Sequence, residues 1–149
     1  TGTHIDAPFH FFSSKESIAD LDLKYLITNA IVVDVSGLSS IDEKFISGLN
    51  LNGINSILFK TNRKNIYLTK TGAQYIAGKG ILIVATECLD IEDDTDNTFS
   101  VHKTLLSNNV LIVENIDLRN VKPGIYKFYC FPLKIENADG SPVRAVLEL

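Results

Sequence analysis

The first ten residues combine side chains that can bind a metal ion. His4, Asp6 and His10 stand close together there, and Pro8 prevents a helix from running through them. In an extended chain His4 and Asp6 point to the same face, because side chains two residues apart share a face of a strand. An imidazole nitrogen and a carboxylate oxygen that converge in this way are ordinary ligands of zinc or manganese. The alternative is a terminus whose polar side chains are simply solvated, and the spacing alone does not decide between the two.

Two later residues carry the same chemistry. His102, the third histidine of the chain, precedes Glu114, which ends the apolar run 110–113. A carboxylate at the end of a buried strand is costly unless it is paired or bound to a cation. The alternatives are that His102 is exposed in the first turn of a helix and that Glu114 pairs with a cationic side chain such as Arg144. Together with the amino-terminal cluster, the two residues favour a metal site.

The elements that must position these residues follow an α/β pattern, because short runs rich in Ile and Val alternate with polar, helix-compatible stretches. We predict strands at 30–35, 56–61, 80–85, 110–114, 125–135 and 143–149. Asp139 and Gly140 predict a tight turn that joins the last two strands as a hairpin. We expect Arg144, in the last strand, to be structural and to pair with a carboxylate.

Short helices are predicted between the strands. A capping box at 40–43 opens the first helix, which ends near Gly48. The second spans 69–77 and is stopped by the glycines that follow it. Ser100 caps the third helix, which carries His102 and ends at 108–109.

Composition limits the classes of protein that the chain can represent. Its 149 residues are 45% hydrophobic and 21% charged, with a net charge of -4. A single domain of this size buries roughly 70% of its unfolded surface and needs no disulfide or structural metal. The charge disfavours binding to nucleic acid or to an anionic membrane, and no apolar run is long enough to cross a bilayer. We therefore expect a cytoplasmic protein. Cys88 and Cys130 are expected to be buried. The lack of Met predicts further residues before Thr1.

The motifs resemble those of the cyclase-like metal-dependent hydrolases, the family that includes bacterial kynurenine formamidase and isatin hydrolase. Residues 1–10 match the family motif His-x-Gly-Thr-His-x-Asp-x-Pro-x-His from its second position onward. Further matches are Ser-Val-His-Lys-Thr-Leu-Leu at 100–106, Val-Glu-Asn at 113–115, Pro-Leu-Lys at 132–134 and Gly-Ser-Pro-Val-Arg-Ala at 140–145. The resemblance therefore extends in order from the first residue almost to the last.

This resemblance implies a role for each candidate residue. His4 and Asp6 correspond to metal ligands, with Asp6 bridging two ions where a binuclear site forms, and His102 and Glu114 correspond to the other ligands of the second ion. His10 corresponds to the catalytic histidine, which shuttles protons beside the metal. The implied fold is the family's swivelling β/β/α domain, with a mixed sheet, short helices and a carboxyl-terminal hairpin. The family also implies one or two Zn²⁺ ions, with Mn²⁺ as an alternative, and a homodimer or higher homo-oligomer acting on a small molecule.

Two features depart from the family pattern. The family's first metal-binding histidine would stand immediately before Thr1, preceded by strands and substrate-pocket residues. We therefore expect 1–149 to be a single cyclase-like domain whose amino-terminal portion is missing. The family also tends to have Asp near the pocket rim where Glu87 stands here, which leaves the substrate preference open, and a surface role for Glu87 is the alternative.

The implied reaction is hydrolysis by metal-bound hydroxide. A divalent ion lowers the pKa of its bound water to about 7, and the hydroxide would attack an amide or formamide carbonyl while His10 moves the proton to the leaving nitrogen. The leading substrate is N-formylkynurenine of tryptophan catabolism, which would make the chain an arylformamidase-like amidohydrolase. The alternatives are a catalytically silent metal- or ligand-binding homologue, and isatin-type ring opening or cyclisation of another small substrate. The sequence contains no Gly-x-Ser-x-Gly elbow or dinucleotide fingerprint that would support a rival class.

Overall fold

Strands and short helices alternate along residues 2–149, the part of the chain that this computed structural model describes; Thr1, the first residue of the matched motif, lies outside it. The strands are β1 (His4–Asp6), β2 (Ile27–Asp34), β3 (Ser40–Ile41), β4 (Ser56–Lys60), β5 (Tyr67–Leu68), β6 (Ile83–Thr86), β7 (Leu111–Glu114), β8 (Gly124–Pro132) and β9 (Gly140–Glu148). The α-helices are α1 (Glu43–Ser47), α2 (Lys70–Ala77) and α3 (Ser100–Ser107), and 3-10 helices span Pro8–His10, Ile18–Asp20 and Leu23–Leu26. This mixed order confirms the predicted α/β class.

Most of the strands close into a barrel. Their order is β1-β7-β6-β4-β2-β8-β9, and β9 pairs back with β1. The strands β2, β4, β6 and β7 run parallel, whereas the other neighbouring pairs are antiparallel. Parallel neighbours need crossover connections, and these connections contain α1, α2 and α3 in turn. The helices pack side by side, and α3 also contacts β7.

Apolar layers cover the parallel strands on both faces. On β4, Ile57 and Phe59 belong to a cluster that includes Leu105 of α3. Leu58 lies between them and belongs to a second cluster, with Phe128 of β8. Because both faces of β4 are covered, all of its residues are buried, and such strands have continuous apolar runs. In β9 most buried or half-buried positions instead alternate with exposed ones.

The first two predicted helices form, but one cap differs. Ser40 does not cap α1, because Ser40 and Ile41 form β3, which pairs with β5. Asp42 is the cap instead, and its Oδ1 accepts a hydrogen bond from the Phe45 N–H at 2.8 Å. The Thr69 side chain caps α2 by accepting from the backbone of its first turn, in agreement with the predicted start.

The predicted cap of α3 is wrong. Ser100 is the first residue of the helix, and the N-cap position belongs to Phe99, whose φ of 53° is left-handed. Asp96 accepts hydrogen bonds from both the backbone N–H and the hydroxyl of Ser100. Asp96 therefore binds the N–H of the first helical residue, and the Ser100 hydroxyl does not cap the helix.

The strands β8 and β9 form the predicted hairpin, but its turn is not at Asp139 and Gly140. Residues 133–139 connect the strands, with Asn137 in the left-handed region at a φ of 55°. The prediction that Arg144 pairs with a carboxylate is also wrong. Its exposed side chain lies opposite Phe131, and no ion pair among residues 2–149 includes it.

Two expectations from composition concern burial and membranes. Cys88 and Cys130 are both buried free thiols, as predicted. Of the helices in residues 2–149, none is long and apolar enough to span a membrane.

Candidate metal centre

The side chains predicted to bind metal lie together where β1, β7 and α3 meet. Antiparallel pairing sets His4 directly opposite Glu114, and residues opposite each other share a face of the sheet. Asp6 lies two residues along β1 on that same face, and the first turn of α3 contributes His102. The pairing of β1 with β7 therefore brings together residues that are far apart in the sequence.

Both carboxylates lie between the two imidazoles. Glu114 places its Oε2 3.4 Å from Nε2 of His4 and its Oε1 3.4 Å from Nε2 of His102. Asp6 repeats this arrangement, with Oδ1 3.8 Å from Nε2 of His4 and Oδ2 4.0 Å from Nε2 of His102. His102 is buried and Glu114 faces histidines, so neither the exposed position of His102 nor the pairing of Glu114 with Arg144 is observed. Imidazole nitrogens and bridging carboxylates suit one or two divalent ions.

The electrostatics of the cluster favour a positive charge at its centre. Burial, and then the charge of Glu114, raise the pKa of Asp6 above its usual value. Contact with Glu114 raises the pKa of His4 to about 9. Burial lowers the pKa of His102, but contacts with Glu114 and Glu92 outweigh it and raise the pKa to about 10. Adjacent buried carboxylates are costly without a cation, so the residues present fit a divalent ion.

These shifts predict how the stability of the metal-free protein depends on pH. The folded-state pKa values of His4 and His102 lie above the ordinary 6.5, so their stabilisation is complete below about pH 6.5 and is lost towards pH 10. The pKa of Glu114 is lowered from 4.5 to about 2, so its contribution is present above about pH 4.5 and is lost towards pH 2. We expect the Tm of chelator-treated protein to be highest between about pH 4.5 and 6.5.

Thermal unfolding in excess chelator across this range measures the effect. Zinc-saturated protein is the control, and its Tm should not fall between about pH 6.5 and 9, because metal replaces the protons on the imidazoles. A Tm of the chelator-treated protein that rises over that interval contradicts the prediction.

Asp90 is an acidic residue at the cluster that the sequence did not indicate. Ligand atoms of Asp90, His102 and Glu114 lie within 4.8 Å of one another, as do those of His4, Asp6 and Glu114. Glu114 is common to both groups. Two donor groups that share a carboxylate have the arrangement expected of a binuclear site.

His10 lies beside the cluster and outside both donor groups. The 3-10 helix that begins at Pro8 turns the chain after β1 and carries His10 at its end. Its Nδ1 lies 2.8 Å from Oδ2 of Asp139, and its ring centroid is 6.3 Å from that of His102. The hydrogen bond with His10 lowers the pKa of Asp139. With Nδ1 held by a carboxylate, Nε2 of His10 is the nitrogen available for proton exchange.

Gly140 allows β1 to approach β9 closely. A Cβ at this position would lie 3.0 Å from Oδ1 of Asp6 and 3.2 Å from the Ile5 carbonyl oxygen. Asp139 and Gly140, predicted as a turn, therefore both contact residues of the site. Asp139 binds His10, and the absence of a side chain at Gly140 leaves space for Asp6.

Comparison with known proteins identifies the family. The profile of the Cyclase family, described as a putative cyclase, matches residues 1–93. The chain is 33% identical over 156 residues to a kynurenine formamidase of Bacillus cereus, an alignment that covers 99% of this chain and 75% of that protein. The chain belongs to the cyclase family.

Solved structures agree with this assignment. A structure described as a potential metal-dependent hydrolase with cyclase activity is 31% identical, with a TM-score of 0.87 and coverage of 99% of this chain and 77% of that one. Isatin hydrolase A from Labrenzia aggregata shares the fold at 20% identity, with a TM-score of 0.86 and coverage of 99% and 72%. The predicted resemblance is confirmed, and the chain is a hydrolase of the cyclase-like family.

In this hydrolase Glu87 is buried, so the surface role that the sequence allowed is not observed. Its Oε2 accepts hydrogen bonds from the N–H groups of Thr61 and Asn62 at 2.9 and 2.8 Å, and its Oε1 accepts one from Leu118 at 3.0 Å. The carboxylate thus joins the loops that follow β4 and β7.

Replacing Glu87 with Ala should lower the free energy of unfolding by about 2 to 4 kcal/mol, because three backbone N–H donors, two of them buried, lose their acceptor. Metal content should stay unchanged, since the hydrogen bonds of Glu87 go to backbone rather than to the metal-binding side chains. Chemical denaturation measures the loss. The control is Glu136→Ala, an exposed carboxylate, which should change stability by less than about 0.5 kcal/mol. Equal effects of the two changes would contradict the stabilising role of the Glu87 hydrogen bonds.

Aromatic rings line one side of the histidines. The ring centroid of Phe11 is 5.4 Å from that of Phe99 and 5.7 Å from that of His102. Phe99 is 42% exposed and left-handed, a conformation that bulky residues rarely adopt and that concentrates at functional sites. These rings offer a planar group a surface on which to stack.

Proposed function

We propose that this hydrolase uses a divalent metal centre to cleave a small aromatic amide or formamide, with N-formylkynurenine as the leading substrate. The observation that carries the proposal is the convergence of His4, Asp6, His102 and Glu114 next to a histidine held by a carboxylate. The name of the Bacillus cereus relative, kynurenine formamidase, supports the substrate.

The proposed metal is Zn²⁺, with Mn²⁺ as the alternative, because imidazole and carboxylate ligands suit both. His4, Asp6, His102 and Glu114 would hold one or two such ions. Bound there, a divalent ion supplies Lewis acidity and lowers the pKa of a coordinated water to about 7.

The residues of the chain supply proton transfer and binding. Asp139 accepts a hydrogen bond from Nδ1–H of His10, which leaves Nε2 to take a proton from the nucleophile and return it to the leaving nitrogen. Phe11 and Phe99 would stack against an aromatic leaving group and exclude water from one side of the site. This wall favours an aromatic amide over an aliphatic one.

We also propose that the protein forms a homodimer or higher homo-oligomer in the cytoplasm. Exposed apolar side chains on the outer face of the hairpin, among them Phe131 and Val146, support a self-association surface. The expected histidine before Thr1 stays a prediction of the family pattern.

Metal analysis and a substrate assay test the proposed function. Purified protein should bind zinc or manganese and release formate from N-formylkynurenine. A chelator should stop the reaction, and adding back either ion should restore it. Isatin is the control substrate, and its faster hydrolysis would replace the formamidase assignment with ring opening. Metal binding without turnover of either compound would favour the catalytically silent homologue.

A further inference from the structure

Glu92 is a buried acidic residue between β6 and α3 that the mechanism above does not use. Its side chain is 3% exposed. Oε1 accepts hydrogen bonds from the N–H groups of Val101 and His102 at 2.9 and 3.1 Å, and Oε2 lies 3.1 Å from the Val101 nitrogen. These amides belong to the first turn of α3, whose N-cap residue, Phe99, has no side-chain acceptor. Glu92 therefore supplies that acceptor, and the positive end of the helix compensates its charge.

The same carboxylate faces the imidazole of His102. Nδ1 of this ring is buried and has no hydrogen-bond partner among residues 2–149, and Oε1 of Glu92 lies 3.5 Å from it. Buried polar atoms in proteins are almost always paired, and the Glu92 carboxylate is the acceptor that lies against this nitrogen. An ionised carboxylate only accepts, so Nδ1 must carry the proton.

In the neutral imidazole that would bind a metal ion, the opposite nitrogen of His102 then has a free lone pair. Nε2 lies 3.4 Å from Glu114 and 4.0 Å from Asp6, so the lone pair is directed into the metal centre. A histidine that binds metal through one nitrogen commonly donates the other N–H to a carboxylate, which fixes the tautomer and the orientation of the ring.

We propose that Glu92 is a positioning residue of the metal centre, which fixes the Nδ1–H tautomer of His102 and ties its ring to the amino terminus of α3. The inference rests on the proposed metal-dependent function. This role of Glu92 differs from that of a simple helix cap. A cap needs only the backbone hydrogen bonds, whereas a positioning residue also needs the contact with Nδ1 of His102.

The test compares Glu92→Gln with Glu87→Gln. Each change replaces a buried carboxylate that binds backbone N–H groups by an amide of the same shape, but only Glu92 contacts a metal-binding histidine. The amide introduced by Glu92→Gln can donate to Nδ1 and so favours the wrong tautomer. Zinc affinity, measured by competition with a chelator, should fall about 10- to 100-fold in Glu92→Gln and stay at the wild-type value in Glu87→Gln.

A nuclear magnetic resonance signature separates positioning from capping. In the zinc-loaded wild type, Nδ1–H of His102 should give a slowly exchanging proton resonance, and Glu92→Gln should abolish it. Wild-type zinc affinity in Glu92→Gln, or an equal loss in both variants, overturns the role of Glu92 while the proposed function stands. A wild-type protein that binds no zinc or manganese overturns the metal centre, and the role of Glu92 with it.

Discussion

Replacing His10 with Ala should lower turnover by about 100- to 10,000-fold while the protein keeps most of its metal, the range expected for loss of a general acid-base group. The side chain lies outside both donor groups and is held by Asp139 at 2.8 Å. Its removal therefore takes away proton transfer without taking away a ligand. Steady-state kinetics with N-formylkynurenine and metal analysis of the same sample measure the two effects separately.

Asp139→Asn is the matched change for this prediction. The amide is the same size as the carboxylate, but it no longer fixes Nδ1–H of His10, so turnover should also fall while metal content stays the same. A folded His10→Ala protein that contains no metal would reassign His10 as a ligand. A loss of less than about tenfold with metal retained would leave solvent as the only proton carrier.

Local patterns account for what could be predicted from the sequence. His4 and Asp6 were found because their spacing already places them on one face of a strand. The strands were found because both faces of β4 and its parallel neighbours are covered, which makes their apolar runs continuous. The boundaries shifted by a few residues, since the ends of β8 and β9 depend on the loop that connects them.

The residues that were missed depend on contacts between distant segments. Asp90 and Glu92 belong to an acidic stretch whose sequence resembles any solvated loop, and only the packing of that loop against α3 buries Glu92. Acidic residues just before a helix are a weak signal for binding to its amino terminus. The sequence around Asp139 predicts a turn, and nothing near it in sequence indicates that His10 lies within hydrogen-bond distance.

Replacing Glu114 with Gln should abolish metal binding and activity together. Its oxygens face His4 and His102, and Oε1 also accepts a hydrogen bond from the Ile91 N–H at 2.8 Å. The amide keeps the shape but loses the charge that holds two ions, so the loss of zinc affinity should exceed the roughly 10- to 100-fold typical of residues that only orient ligands. Chelator competition and metal content measure it.

The control for this change is Asp90→Asn, at the exposed edge of the same donor group. Asp90 belongs to one donor group, whereas Glu114 belongs to both, so the Asp90 variant should lose much less zinc affinity than the Glu114 variant. The zinc content of the Glu114 variant also tests how many ions the protein binds. If Glu114 bridges two sites, its replacement should empty both, whereas retention of one full zinc equivalent in Glu114→Gln would show that His4 and Asp6 hold an ion without it.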